Sequence, residues 1–246
     1  MKVLAAITLA VGLAACSADQ PSAPRALDLT PANDVRAAQV YTYEVTITNL
    51  TTGQPMSPGI LVTHGPRVSL FKMGSIASAG ITDIAENGSP ATAFSMLSGA
   101  PGTYDAVTTA APAHRIGGPG PSSVMATITS DAEHRLISAA VMLICTNDGF
   151  AGVHDFALPT DDNPVTVYAY AYDAGTERNS ERDGDIVPPC FGIGPTSGTG
   201  GGGHMAEQRR VRAHPGINGD RDLSPSLHAW SGAVAMISIQ RSSLAP

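Results

Sequence analysis

The sequence predicts an all-β fold class, an antiparallel β-sandwich with one or two short helices in a connection. Three observations support this prediction. Several short segments alternate apolar and polar residues, which is the pattern of strands with one buried face. Glycine and proline, at 26 and 19 of 246 residues, separate these segments. Charged residues make up only 14% of the chain, against 43% hydrophobic residues, which favours a folded core over a disordered chain.

The strands are predicted from alternation. Residues 41–50 alternate strictly, with Tyr43, Val45 and Ile47 on one face, so they form a half-buried strand. Residues 136–145 are apolar on both faces, which is typical of a central strand. The other strands are predicted over residues 59–64, 123–129, 165–172 and 229–240.

The connections are of two kinds. Residues 75–97 lack β-alternation and predict one or two short helices, with a start at Ser89-Pro90. Residues 181–218 form a long irregular segment with a glycine run, and we expect this segment to be mobile.

The net charge of −7 argues against nucleic acid as a partner, because an acidic surface is repelled by phosphate backbones. The one basic cluster, Arg209, Arg210 and Arg212, is expected to be a solvated face.

An N-terminal export signal is predicted over residues 1–15. Lys2 precedes an apolar run that is shorter than the roughly 20 residues of a membrane span. The run ends in Leu-Ala-Ala-Cys at residues 13–16, which resembles the lipobox of bacterial lipoproteins. That resemblance implies cleavage before Cys16, lipidation of its thiol and anchoring to a membrane. Because Ser17 rather than Asp follows Cys16, analogy with that family favours the outer membrane where the organism has two membranes. The alternative is an ordinary signal peptide with a chance cysteine.

The rest of the chain is divided by composition. Residues 16–39 are predicted to be a flexible tether because their early part is rich in Ala, Pro, Ser and Asp. Residues 40–241 then form the single folded domain.

Three carboxylates stand where strands enter glycine-containing loops. Asp148 follows the central strand, and Asp173 and Glu177 follow the strand over residues 165–172. Gly175 can adopt a positive φ that turns both neighbouring carboxylates inward. Two loops with three carboxylates suit Ca²⁺, which takes six to eight oxygen ligands. The alternative is that these side chains only cap their own turns.

The carboxylates can meet only if the chain crosses back between them. A direct hairpin would place Asp148 and Asp173 at opposite edges of the sheet. Residues 153–158 are therefore predicted to form a further strand, since a rise of about 3.3 Å per residue makes the stretch long enough.

These segments carry a resemblance to a known family. The strand at residues 43–50, the segment Asp-Gly-Phe-Ala-Gly-Val at 148–153 and Tyr-Asp-Ala-Gly-Thr at 172–176 resemble the spondin N-terminal domain, which occurs in F-spondin, mindin and bacterial secreted proteins. The resemblance implies a C2-like β-sandwich and one Ca²⁺ held by Asp148, Asp173 and Glu177. Animal members usually have Asp where this chain has Glu177.

Cys145 and Cys190 remain after the lipidation site. An even pair in an oxidising compartment suggests a disulfide, and two buried free thiols are the alternative. The seven histidines show no zinc-ligand spacing and are expected to be surface or capping residues.

The expected function is a non-catalytic, Ca²⁺-binding recognition or adhesion module, anchored to the cell envelope by its lipid. Its partner would be a protein or glycan of the envelope or its surroundings. One alternative is a structural envelope lipoprotein with a purely stabilising ion. Another is a metal-assisted hydrolase that uses Asp148, Asp173 and His154.

Overall fold

The computed structural model of the chain describes residues 39–242 as a nearly closed antiparallel β-sandwich. The predicted fold class is therefore confirmed. The predicted signal peptide, the lipidation site Cys16 and all but the last residue of the predicted tether lie outside the described residues. Within residues 39–242, none of the helices is both long and apolar enough to cross a membrane.

Short strands make up most of the regular structure in the described part of the chain. The strands are β1 (Tyr41–Asn49), β2 (Ile60–His64), β3 (Thr103–Thr108), β4 (Ser123–Ser130), β5 (Leu136–Met142), β6 (Gly149–Ala157), β7 (Val165–Asp173), β8 (Arg212–Ala213) and β9 (Ala235–Arg241). The helices are α1 (Ala79–Asn87), α2 (Ala91–Leu97), α3 (Pro189–Ile193) and α4 (Pro225–His228), with a 3₁₀ turn at Asp183–Asp185.

The strands pair in the order β3-β2-β5-β6-β7-β9-β1-β4, with β8 added to β7. β7 joins the two layers, since its residues 165–169 pair with β9 and its residues 170–173 pair with β6. The two ends of the order approach each other, because the N–H and Oγ1 of Thr129 on β4 donate to Asp105 Oδ2 on β3, over 2.9 and 2.7 Å. These contacts nearly close the sandwich.

β5, the predicted central strand, has one hydrophobic core on each side. Between the layers, the alternating face of β1 buries Tyr43, Val45 and Ile47, as its sequence predicts. On the outer side, α1 packs against β5 and β6 and buries Ile81 and Ile84 in this second core. β5 is buried along nearly its whole length, which confirms its central place.

The predicted helical region contains two helices. α1 begins at Ser78, whose Oγ accepts the N–H of Ile81, and ends at Gly88 in a left-handed conformation. α2 begins directly after Pro90, which confirms the predicted start.

β5 ends at Met142 rather than at residue 145, and α4 was not predicted. Three further departures have a clear physical reason. β3 was not predicted because only Ala106 in it is buried, so its sequence does not alternate. β9 begins at Ala235 rather than at residue 229, since Gly232 at φ +70° interrupts the extended chain. The irregular segment contains α3, β8 and the 3₁₀ turn, elements that its glycine-rich composition concealed.

Candidate cation site

Asp148 and Asp173 lie side by side at one end of β6 and β7. The crossing strand predicted between them is present as β6, which runs antiparallel to both β5 and β7. Gly149 pairs with Asp173 in this register, and the N–H of Ala174 donates to the carbonyl of Asp148 over 3.1 Å. The fold therefore brings the two sequence-distant loops together.

The loop before β6 sets the position of Asp148. Thr146 Oγ1 donates to the carbonyl of Leu143 over 2.6 Å and accepts the N–H of Gly149 over 2.9 Å, which closes a tight turn. Asp148 is fully buried. Its Oδ2 accepts the N–H groups of Thr176 and Glu177 over 2.8 and 3.0 Å. Its Oδ1 has no hydrogen-bond partner within residues 39–242.

Asp173 is also fully buried, but protein donors occupy both of its oxygens. Oδ1 accepts the N–H of Gly175, which has the predicted positive φ at +73°. Oδ2 accepts Asn179 Nδ2 over 2.8 Å and the guanidinium of Arg212, through Nη2 at 2.7 Å and Nε at 3.2 Å. Arg212 therefore forms an ion pair with this carboxylate.

Glu177 points its side chain inward and is 1% exposed. Oε1 is hydrogen-bonded to Nδ1 of His204. Oε2 is buried and, like Asp148 Oδ1, has no partner in the described part of the chain. Two of the three predicted ligands thus present an unpaired buried oxygen.

Burial makes the ionised forms of these carboxylates costly. Burial and the adjacent charge of Asp173 raise the pKa of Asp148 to about 6. Burial raises the pKa of Glu177 to about 7, with a smaller contribution from the charge of Glu86. The hydrogen bond with Glu177 raises the pKa of His204 above its ordinary value. A cation placed here would offset the cost of the two carboxylate charges.

The donor set fits a hard cation, with unequal contributions from the three carboxylates. Asp148 Oδ1 and Glu177 Oε2 are carboxylate oxygens with no other partner within residues 39–242, and such oxygens are what Ca²⁺ prefers. A carboxylate has about four lone-pair sites, so Asp173 retains acceptor capacity beside its donors. Asp148 and Glu177 would be the principal protein ligands, and Asp173 the subsidiary one.

A second grouping overlaps this site. Glu86, Glu177 and His204 offer ligand atoms that lie within 4.8 Å of one another. Sequence reasoning missed Glu86 and His204 because they are distant in the chain, without metal-ligand spacing. Neither Asp148 nor Asp173 belongs to a group this tight among the described residues.

The expectation of surface or capping histidines is wrong at His64, whereas the buried His228 is a capping residue of α4. His64 is fully buried and is hydrogen-bonded to Ser138 through Nε2 over 2.8 Å. His228 is 1% exposed, and its Nδ1 accepts the N–H of Ser224. Both are structural residues.

His154, the base of the hydrolase alternative, lies six residues beyond Asp148 along β6. A rise of about 3.3 Å per residue separates the two by roughly 20 Å. That distance is out of hydrogen-bond reach of anything bound at Asp148.

The basic cluster is only partly a solvated face. Arg209 and Arg210 are exposed, as expected, but Arg212 is half-buried on Asp173. A surface pocket of about 520 Å³ lies at this position, lined by residues that include Arg178, Asn179 and Arg212. Asn179 and Arg212 are the same side chains that bind Asp173, so the pocket wall and the carboxylate cluster share residues.

Cys145 and Cys190 are joined by a disulfide, with their Cα atoms 5.0 Å apart. The Glu181 carboxylate accepts the N–H groups of residues 218, 219 and 220 over 2.6 to 2.9 Å, which joins the two ends of the irregular segment. The disulfide and the N–H of Glu181, which donates to Asn147 Oδ1, fasten the irregular segment to the loop that carries Asp148.

A nearly closed antiparallel sandwich with carboxylate-bearing loops at one end defines the class of this protein as a β-sandwich domain with acidic loops. Residues 49–181 match the sequence profile of the Spondin_N family. The chain therefore belongs to the Spondin_N family, and the match covers both loops that carry Asp148, Asp173 and Glu177. Among curated proteins, none matches the chain.

Proposed function

We propose that this protein is a non-catalytic recognition module that binds one Ca²⁺ through Asp148, Asp173 and Glu177. The proposal rests chiefly on one observation: Asp148 Oδ1 and Glu177 Oε2 are buried carboxylate oxygens without a hydrogen-bond partner in residues 39–242. Leaving such groups unpaired is costly, so a bound cation is the simplest explanation. Backbone carbonyls and water would complete the shell.

The recognition role is supported by the pocket next to the carboxylates. Asp173 accepts hydrogen bonds from Asn179 and Arg212, and both side chains line that pocket. An ion coordinated by Asp173 would fix the positions of the Asn179 and Arg212 side chains before a ligand binds. Such pre-organisation lowers the ordering cost of binding. The exposed Arg178 adds a positive charge to the wall, which favours a ligand group with negative charge.

The site is better suited to holding an ion than to chemistry. A catalytic metal needs an open coordination position and a base within reach. The three carboxylates are buried, and His154 is distant along β6. We therefore propose no enzymatic activity.

The proposed location is the cell envelope, outside the cytoplasm. It is supported by the Leu-Ala-Ala-Cys motif at residues 13–16 and by the disulfide, which persists in oxidising compartments. The Cys16→Ala variant should lack the lipid and leave the membrane fraction. If this substitution leaves the membrane fraction unchanged, Cys16 is not the site of lipidation.

The ligand role is tested with isolated cell envelopes and the fluorescently labelled chain. The labelled chain should bind the envelopes in the presence of Ca²⁺, and chelator should reduce this binding. Arg178→Ala should also reduce it without changing the melting temperature. A chelator that lowers the melting temperature but leaves envelope binding intact would overturn the recognition role. That result would support the second candidate, a structural module in which the ion only stabilises the fold.

A further inference from the structure

We propose that Glu86, Glu177 and His204 form a second cation site, one that takes a divalent transition metal such as Zn²⁺. Three separate parts of the chain build this cluster. Glu86 lies in the last turn of α1, Glu177 in the loop after β7, and His204 directly after the glycine run at residues 200–203. Their ligand atoms lie within 4.8 Å of one another.

The distances suit an ion after small side-chain movements. Zn²⁺ binds carboxylate oxygen and imidazole nitrogen at about 2.0 to 2.2 Å, so its ligands stand within about 4 Å of one another. His204 already contacts Glu177 through Nδ1, and its side chain is 44% exposed, so it has room to turn. Three protein ligands would leave a fourth position for water.

A second observation, which the calcium proposal also uses, points to a ligand at Glu177. The Glu177 side chain is 1% exposed, reaches into the cluster, and keeps Oε2 without a partner in the described residues. The half-buried Glu86 carboxylate forms no ion pair with a basic residue within residues 39–242. His204, even when protonated, offsets only one of the two negative charges. A divalent cation would balance both carboxylates.

The ligand types separate this site from the calcium position. Ca²⁺ takes oxygen ligands almost exclusively, whereas imidazole nitrogen suits Zn²⁺ and its neighbours in the transition series. Glu86 and His204 contribute nothing to the proposed calcium shell, and Asp148 and Asp173 contribute nothing to the zinc shell. Glu177 is the one residue that both positions could use.

An ion in this cluster would hold the glycine-rich segment, residues 200–204, against α1. The segment is joined to the loop after β7 by backbone hydrogen bonds, from Arg178 N–H to Met205 and from Glu207 N–H to Thr176. The ion would add a bond to α1 through Glu86. Residues 201–203 already donate backbone hydrogen bonds to the carbonyls of residues 183, 184 and 186, so the metal would add only the link to α1.

Calorimetric titration of the full-length chain with Zn²⁺ tests this proposal, with Co²⁺ absorption as a second readout of a bound nitrogen ligand. His204→Ala and Glu86→Gln should each weaken Zn²⁺ binding by more than about tenfold, because losing a direct ligand should cost at least as much as losing an outer-shell partner. The matched control is His154→Ala, because His154 is similarly exposed at 39% and lies outside the cluster. It should leave the Zn²⁺ affinity unchanged.

The outcomes separate this site from the calcium site. His204→Ala should leave Ca²⁺ binding unaltered, so loss of Zn²⁺ binding with retained Ca²⁺ binding supports the second site and confirms that the variant is folded. Equal Zn²⁺ affinity in wild type, His204→Ala and Glu86→Gln overturns it. So does an equal loss in His154→Ala. A chain that binds Zn²⁺ but not Ca²⁺ would retain this proposal and contradict the calcium site.

Discussion

The backbone N–H of Glu177 donates to Oδ2 of Asp148 over 3.0 Å, while Oδ1 of the same carboxylate has no partner among the described residues. One oxygen of Asp148 therefore fixes the neighbouring loop, and the other is left for a ligand. Because the N–H and the side chain of Glu177 belong to one residue, the same bond also positions the second carboxylate. The backbone alone therefore positions both carboxylates.

The pKa of Asp148 gives the metal-free protein a characteristic pH dependence. Its folded value of about 6 lies above the ordinary 3.8, so the folded state binds this proton more tightly. The resulting stability is fully present below pH 3.8 and is lost as the pH rises through 6. In chelator, wild type should lose more unfolding free energy than Asp148→Asn between about pH 4 and about pH 6. Parallel urea-unfolding curves for the two chains across that range would contradict the assignment.

The Arg212–Asp173 pair should contribute measurably to stability. Arg212→Ala leaves the buried Asp173 carboxylate without its cation, which should cost about 2 kcal/mol, as for other hydrogen bonds to charged groups. Urea unfolding measures the loss. Arg67→Ala, at an exposed arginine, is the control and should change stability by less than about 0.5 kcal/mol. A difference between the two variants near zero would show that Asp173 does not depend on Arg212.

Glu181 should be a structural carboxylate whose loss loosens the segment after β7. It is 2% exposed and accepts three backbone N–H groups, so Glu181→Ala should destabilise the chain by about 2 to 3 kcal/mol. The exposed Glu133 offers a control substitution, Glu133→Ala, with little expected effect. Matching denaturation midpoints for these two variants would be incompatible with the role given to Glu181.

The disulfide should stabilise the fold by restricting the unfolded chain. It links residues 45 apart, for which the chain-entropy relation gives at most about 4 kcal/mol. The double variant Cys145→Ala, Cys190→Ala should lose stability of that order. Intact-mass measurement with and without reductant provides the covalent check. Two free thiols in the chain purified without reductant would refute the prediction.

Much of the sandwich could be predicted because burial on one face leaves a period of two in the sequence. Tyr43, Val45 and Ile47 are all buried in β1, and the strand that returns the chain from Asp148 to Asp173 follows from sheet geometry. β3 could not be predicted in this way, since Ala106 is its only buried residue. β3 is held in place by pairing with β2 and by contacts with β4. Both are distant in the sequence, so the sequence of β3 alone does not reveal them.

The site was predictable only where its residues follow strands. Asp148, Asp173 and Glu177 each stand beside a strand end or a glycine turn. Glu86 and His204 reach Glu177 from α1 and from the glycine-rich segment, and no spacing in the sequence relates them. The role of Arg212 was likewise hidden, because its basic neighbours suggested a solvated face whereas β8 turns it onto Asp173.

Calorimetric titration with Ca²⁺ tests the central claim most directly. Wild type and Asp162→Asn, a control at an exposed aspartate, should bind one ion with equal affinity, and Asp148→Asn should bind it more than about tenfold more weakly. Indistinguishable heats in all three chains, or no heat of binding in wild type, would contradict a calcium site at Asp148.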